Sequence, residues 1–238
     1  MALGSQPRWT VRPADARVDI DVGLRDYMLR IYNYMASGLA LTGIVAYVSA
    51  ASGFYASIAH SPVIWLVMLA PLGMVMWLSY GINRMSAATA QGLFWLYSGL
   101  MGLSLGVVFL AFTGASVARV FFITAGTFAA MSLYGYTTRR DLAQFGSFLF
   151  MGLIGIVLAS LVNIFIGSTA LQFAISVIGV LVFTGLTAWD TQQIKEMYVV
   201  SDDGQIAGKK AIMGALRLYL DFINLFMMLI QLLGVRRD

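Results

Sequence analysis

The sequence predicts an all-α integral membrane protein of seven transmembrane helices, with the C-terminal seventh in the centre and the first six around it. Three observations carry that expectation. Hydrophobic residues fill 60% of the 238 positions and charged ones only 11%, whereas a soluble domain has about a quarter of its residues charged. Apolar runs recur at lengths near the ~20 residues that cross ~30 Å of hydrocarbon. The last run is apolar on all but one narrow, polar stripe, which suits a helix enclosed by others.

Taken in order, residues 1–27 are polar, with "SQPRWTVRPADARVDIDVGLRDY" mixing Arg and Asp with two prolines. This stretch is expected to be a soluble cytoplasmic N-terminal arm, ending in an interfacial turn before a membrane domain over 28–238. It has no short apolar core followed by a small-residue cleavage site, so a secretory signal is not expected. Seven spans are expected at 29–52, 62–82, 92–112, 118–137, 146–166, 171–193 and 211–234. Their connections are short and rich in small residues ("SAATAQG", "FTGAS", "GSTA"). The longest, "IKEMYVVSDDGQIAGKKA", holds 18 residues and the clearest charge run. No internal repeat or inserted soluble domain interrupts the pattern.

Lys and Arg set the expected orientation. With the N-terminus inside, the inner segments hold twelve of the fifteen basic residues, and only Arg119, Arg236 and Arg237 fall outside. The N-terminus is therefore expected in the cytoplasm and the C-terminus on the opposite side. The net charge of +4 follows from this bias, and the basic residues form no aromatic-interleaved cluster of the kind that binds nucleic acid. The chain has no cysteine and one histidine, His60. Thiol chemistry, disulfides and multi-histidine metal sites are excluded, and no cofactor is expected.

Ionisable residues within spans usually face the bundle interior, pair with one another and mark a pathway or relay. Asp190 sits near the inner end of the sixth span in "FTGLTAWDTQQIKEMY", and Asp221 lies about ten residues into the seventh. Arg84 closes the second in "WLSYGINRMSAA". All three fall in the inner half, at depths that permit a meeting. On the seventh span, Arg217, Asp221, Asn224, Met228 and Gln231 are spaced 4, 3, 4 and 3 apart and so share one stripe. Thr184, Thr187 and Thr191 form a shorter stripe beside Asp190.

Two carboxylates held close in a low-dielectric site cannot both ionise cheaply, and they titrate as a pair. A shared proton would hold the sixth and seventh spans together; its loss would produce repulsion that Arg84 or an incoming cation relieves. Two carboxylates with Asn224 do not make a dedicated cage, so Asp190 and Asp221 suit a weak, transient cation site in which the ion keeps several waters. Asn83, Asn163 and Gln172 are expected to serve interhelical hydrogen bonds or interfaces.

The segments "AWDTQQIK" and "LYLDFINLF" resemble the signature of the Bax-inhibitor-motif family of small seven-helix membrane proteins, most closely its bacterial members. The resemblance covers essentially the whole membrane part. It implies that Asp190 and Asp221 form a pH-sensing pair, that Arg84 acts as a latch, and that the protein is a pH-dependent calcium leak channel. Trp189 departs from the tyrosine that precedes the aspartate in many relatives. Met85 and Ser86 stand where some relatives place further basic residues after the latch.

The leading expectation is thus a calcium or cation leak channel with lipid, calcium and protons as its partners, in a bacterial inner membrane. The alternative is a regulatory membrane protein, since relatives are linked to stress responses and to modulation of a membrane protease; the N-terminal arm would be its handle. An enzyme is not expected. Intramembrane aspartyl proteases also use two aspartates on adjacent helices, but they carry Gly-x-Gly-Asp where this chain has Leu218, Tyr219, Leu220 and Asp221.

Overall fold

Seven helices long and apolar enough to cross a membrane fill the computed structural model, which describes residues 13–58 and 60–237, the side chains from Val22 on. In chain order they are α1 (Pro13–Ala51), α3 (Val63–Gly81), α4 (Ala87–Ala111), α5 (Gly114–Thr137), α6 (Ala143–Ile166), α7 (Thr169–Glu196) and α8 (Gly204–Leu233). A short α2 (Phe54–Ile58) lies in the first connection, and a 3-10 turn, Ile82–Arg84, follows α3. The seven expected spans are all present. Because α3–α4, α5–α6 and α7–α8 connect at the end where most Lys and Arg lie, that end is called the basic end below, and the opposite one the far end.

Local chemistry marks the helix ends. The side chains of Ser86, Ser168 and Asp203 accept hydrogen bonds from the backbone N–H groups of Thr89, Leu171 and Ile206 at 3.1, 3.2 and 2.7 Å, satisfying donors that a first turn leaves free. Gly167 ends α6 with φ of 65°, a left-handed cap that side chains with a Cβ seldom adopt. At the far end the C-terminal tail pairs with the α4–α5 turn. Thr113 N–H donates to the Val235 carbonyl at 3.0 Å, and Arg237 N–H to that of Ala111 at 2.9 Å.

Two boundaries differ from the sequence expectation. Residues 13–27, expected as part of a non-spanning arm ending in a turn, are helical and run into the first span without a break; residues 1–12 lie outside the described residues. The 18-residue connection shrinks to residues 197–203, because both flanking helices extend past their apolar runs. Lys210 stabilises this tight turn. Its ammonium donates to the Met197 carbonyl at 3.0 Å and pairs with Asp202 at 2.6 Å.

α8 is the central helix. Leu218, Tyr219, Leu225 and Ile230 are inaccessible, and its neighbours are α1, α4, α5 and α7. The expected ring of six is therefore a ring of four: α3 packs outside against α4, and α6 outside against α7. These two helices are largely apolar, with Trp65, Tyr80, Phe148 and Phe165 turned outward. Their outward faces need no enclosure, because lipid solvates them as well as protein does.

Polar links pin the inner helices together. Tyr219 OH and Thr42 Oγ1 lie 2.7 Å apart, and the Thr42 hydroxyl also reaches the Ser98 carbonyl at 2.8 Å. This ties α8, α1 and α4 at one level. The Tyr219 ring meets those of Phe94 and Tyr97 edge-on, with centroids 6.0 and 5.5 Å apart. Between α5 and α7, Gly135 lets the backbones touch, since a Cβ there would run into the Ala188 carbonyl.

That contact gives a test of the packing. Gly135→Val should push α5 off α7 and cost roughly 1–3 kcal/mol, the usual penalty of overpacking. Gly126→Val, where nothing lies within 4 Å of the added carbon, should leave stability nearly unchanged. Thermal unfolding of both variants in detergent reads the difference.

Candidate functional site

The polar stripe of α8 faces α7 along most of its length. Arg217 meets Asp190, Met228 packs on Gly179, and Gln231 accepts a hydrogen bond from Ser176 at 2.9 Å. The steps from 217 to 228 to 231 on α8 match those from 190 to 179 to 176 on α7. Such equal and opposite steps define an antiparallel pair in one fixed register. The stripe therefore closes a two-helix seam rather than lining an axial pore.

Near the basic end of this seam the structure brings Asp190 and Asp221 within hydrogen-bonding reach of each other. Asp221 is only 5% exposed, and the Asp190 side chain 13%. The Asp221 Oδ2 is buried and, among the described residues, has no hydrogen-bond partner with a fixed proton. An ionised carboxylate left so is expensive, and a proton shared with Asp190 would offset the cost. The two depths agree because the short α7–α8 turn sets them level.

The cation beside the pair is Arg217, one turn before Asp221. Its Nη1 lies 3.8 Å from Asp190 Oδ1, and its side chain is 46% exposed. Arg84 is placed differently. It ends the 3-10 turn after α3, exposed to solvent, and makes no ion pair among the described residues. Sequence depth put both arginines at the basic end, but only the turn-by-turn geometry of α8 aims one at the carboxylates.

The supporting residues divide in the same way. Asn224 is half-buried, and its Nδ2 donates to the Leu220 carbonyl at 2.9 Å. Among the described residues its Oδ1 accepts no hydrogen bond. Thr187 and Thr191 are buried, their hydroxyls donating to the Phe183 and Thr187 carbonyls at 2.8 and 2.7 Å. Thr191 also meets Ser132 of α5 at 2.9 Å, and Ser132 meets Tyr32 of α1 at 2.6 Å. This hydroxyl chain was not legible in the sequence, because Tyr32 and Ser132 are ordinary residues in apolar runs. Trp189 packs its indole on Gly146 of α6, so the residue beside Asp190 anchors the outer helix.

Oxygen donors for a cation are few here. Among the described residues no group of three acidic or histidine side chains gathers that could hold a metal ion. At the far end of the same seam, a recess of about 370 Å³ is lined by Asn163, Gln172, Met228 and Gln231. Asn163 spends its Oδ1 on the Ser168 N–H at 3.0 Å.

Fold and site together describe a small seven-helix membrane protein whose central helix carries a buried carboxyl beside a second from its antiparallel neighbour. The chain belongs to the Bax inhibitor family: the family model described as "Inhibitor of apoptosis-promoting Bax1" matches residues 24–238. Protein RP147 of Rickettsia prowazekii is 51% identical over 219 residues, covering 92% of this chain and 93% of its own. The Escherichia coli protein named inner membrane protein YbhL is 48% identical over 228 residues, 94% and 97% of the two chains. A Caulobacter vibrioides protein is 42% identical over 245 residues, 95% of each.

The geometry predicts how the seam responds to pH. The wild-type protein should lose thermal stability in detergent as pH rises and the shared proton leaves. Asp221→Asn should give a flatter profile, because an amide donates to Asp190 at every pH. Melting curves of the two proteins over one pH series check this.

Proposed function

We propose that the protein is a pH-sensitive calcium (cation) leak channel gated by the Asp190–Asp221 pair. The observation that carries this reading is the unpartnered, buried Oδ2 of Asp221 facing a second carboxyl. While the proton is shared, the α7–α8 seam stays shut. When it is lost, two negative charges repel in a site that water scarcely reaches, and a hydrated cation entering between them relieves the repulsion. The ion is held weakly, by the two carboxylates and Asn224 Oδ1, and keeps most of its waters. Weak binding favours release, as conduction requires.

Arg217 competes with the cation for Asp190 from the basic end, and swinging away would free the carboxylate. Its half-exposed side chain has room for that motion. Arg84 in this reading acts as a second, more distant cation at the same mouth. The lysine and arginine bias supports a cytoplasmic basic end, and the name of the Escherichia coli relative supports a bacterial inner membrane as the location.

Calcium entry into proteoliposomes across a pH series tests the proposal. Wild-type flux should rise as the pair loses its proton, whereas Asp221→Asn should lose that dependence. Arg217→Gln should move the midpoint to higher pH by about one unit, because a nearby guanidinium favours the charged pair. Identical pH profiles for wild type and Asp221→Asn would overturn the gate.

A further inference from the structure

α1 and α5 both pack on α8 but scarcely on each other. Between them lies a cleft of about 700 Å³ whose floor includes Phe128 and Phe222. Ala36 and Ala40 on α1 and Ala125 and Ala129 on α5 line it, and their short side chains leave the space between the walls unfilled. The cleft runs from Arg25 to Ala40 on α1 and from Tyr136 back to Phe121 on α5, fifteen steps along each antiparallel helix. At 1.5 Å per residue that is about 22 Å, more than the ~15 Å depth of one leaflet's hydrocarbon. Tyr32 OH and Ser132 Oγ, 2.6 Å apart, link the two walls within its lining.

The mouth is cationic. Arg25 lines the cleft at the basic end, while its acidic neighbour Asp26 turns to the opposite face of α1 with Arg30. Across the mouth, the Lys195 ammonium donates to the Tyr136 carbonyl at 2.9 Å and sits 5.8 Å from the Tyr136 ring centroid. Arg139 and Arg140 follow Tyr136 and are exposed. An apolar slot of leaflet depth, capped at the headgroup level by positive charge, is complementary to one kind of molecule.

We propose that this cleft binds one anionic phospholipid from the leaflet at the basic end, with an acyl chain between α1 and α5 and its phosphate at Arg25. The chain lies against Phe222, the residue after Asp221, so the site borders the central helix without belonging to the α7–α8 seam. The proposal stands independently of the channel reading.

The test uses the purified full-length protein in neutral detergent, titrated with dioleoylphosphatidylglycerol or dioleoylphosphatidylcholine and read by native mass spectrometry. One phosphatidylglycerol should be retained per chain, roughly fivefold more tightly than phosphatidylcholine, the preference that one basic residue near a membrane surface supplies. Arg25→Gln should bring phosphatidylglycerol down to the phosphatidylcholine level. Ala129→Trp should remove retention of both lipids by filling the cleft, and Ala40→Phe on the other wall should do the same. Both filling variants sit at exposed positions, so loss of either one to misfolding leaves the other to decide. Equal retention of the two lipids by wild type would overturn the proposal. So would wild-type retention by the filling variants, or oleate displacing phosphatidylglycerol at equal concentration.

Discussion

A carboxyl group held in the most enclosed helix of a membrane bundle has to be balanced by something. Neither lipid nor the apolar faces of α1, α4 and α5 can do it. The balance comes from α7, which brings a second carboxyl to Asp221 and a threonine ladder beside it. The rest of the architecture keeps that meeting in place. A seven-residue turn clamped by Lys210 levels the two helices, Gly179 and Met228 fix their register, and Tyr219 with Thr42 and Ser98 locks α8 against the other side of the bundle. Remove the need to balance Asp221, and little else in this seam requires polar residues at all.

Burial alone does not make such a pair functional. Charge networks also serve to specify helix register, at a net cost in stability. Two features argue for more than register here. Register is already fixed by apolar and small-residue contacts further along the seam, where Met228 sits on Gly179. The pair also carries an incomplete set of partners: one buried carboxyl oxygen has no hydrogen-bond partner among the described residues, and the nearby guanidinium is half-exposed and loosely placed at 3.8 Å. A structural network would be closed with fixed donors. This one is left open, as the proposed pH gate requires.

Much of this could be read before any coordinates. The seven spans, the central position of the last one and the depth of Asp190 and Asp221 follow from hydropathy and residue spacing. Their boundaries did not, because polar helix ends such as 204–210 carry no apolar signal and are held by caps and by Lys210. Azimuth was the second blind spot. Arg84 and Arg217 lie at similar depth by sequence, yet α3 packs on the outside against α4, which leaves Arg84 away from the pair. The α8 stripe was visible as a stripe, but only packing shows that it closes on α7. The cleft between α1 and α5 had no signature, since its alanines look like those of any closely packed span.

The central claim is that Asp190 and Asp221 share one proton whose loss opens the protein. Infrared difference spectroscopy on proteoliposomes, titrated over pH alongside calcium flux, tests it most directly. The account predicts a single protonated-carboxyl band, absent from Asp221→Asn, that disappears at the pH where flux reaches half its maximum. A carboxyl band that persists through the opening transition, or survives unchanged in Asp221→Asn, would contradict it.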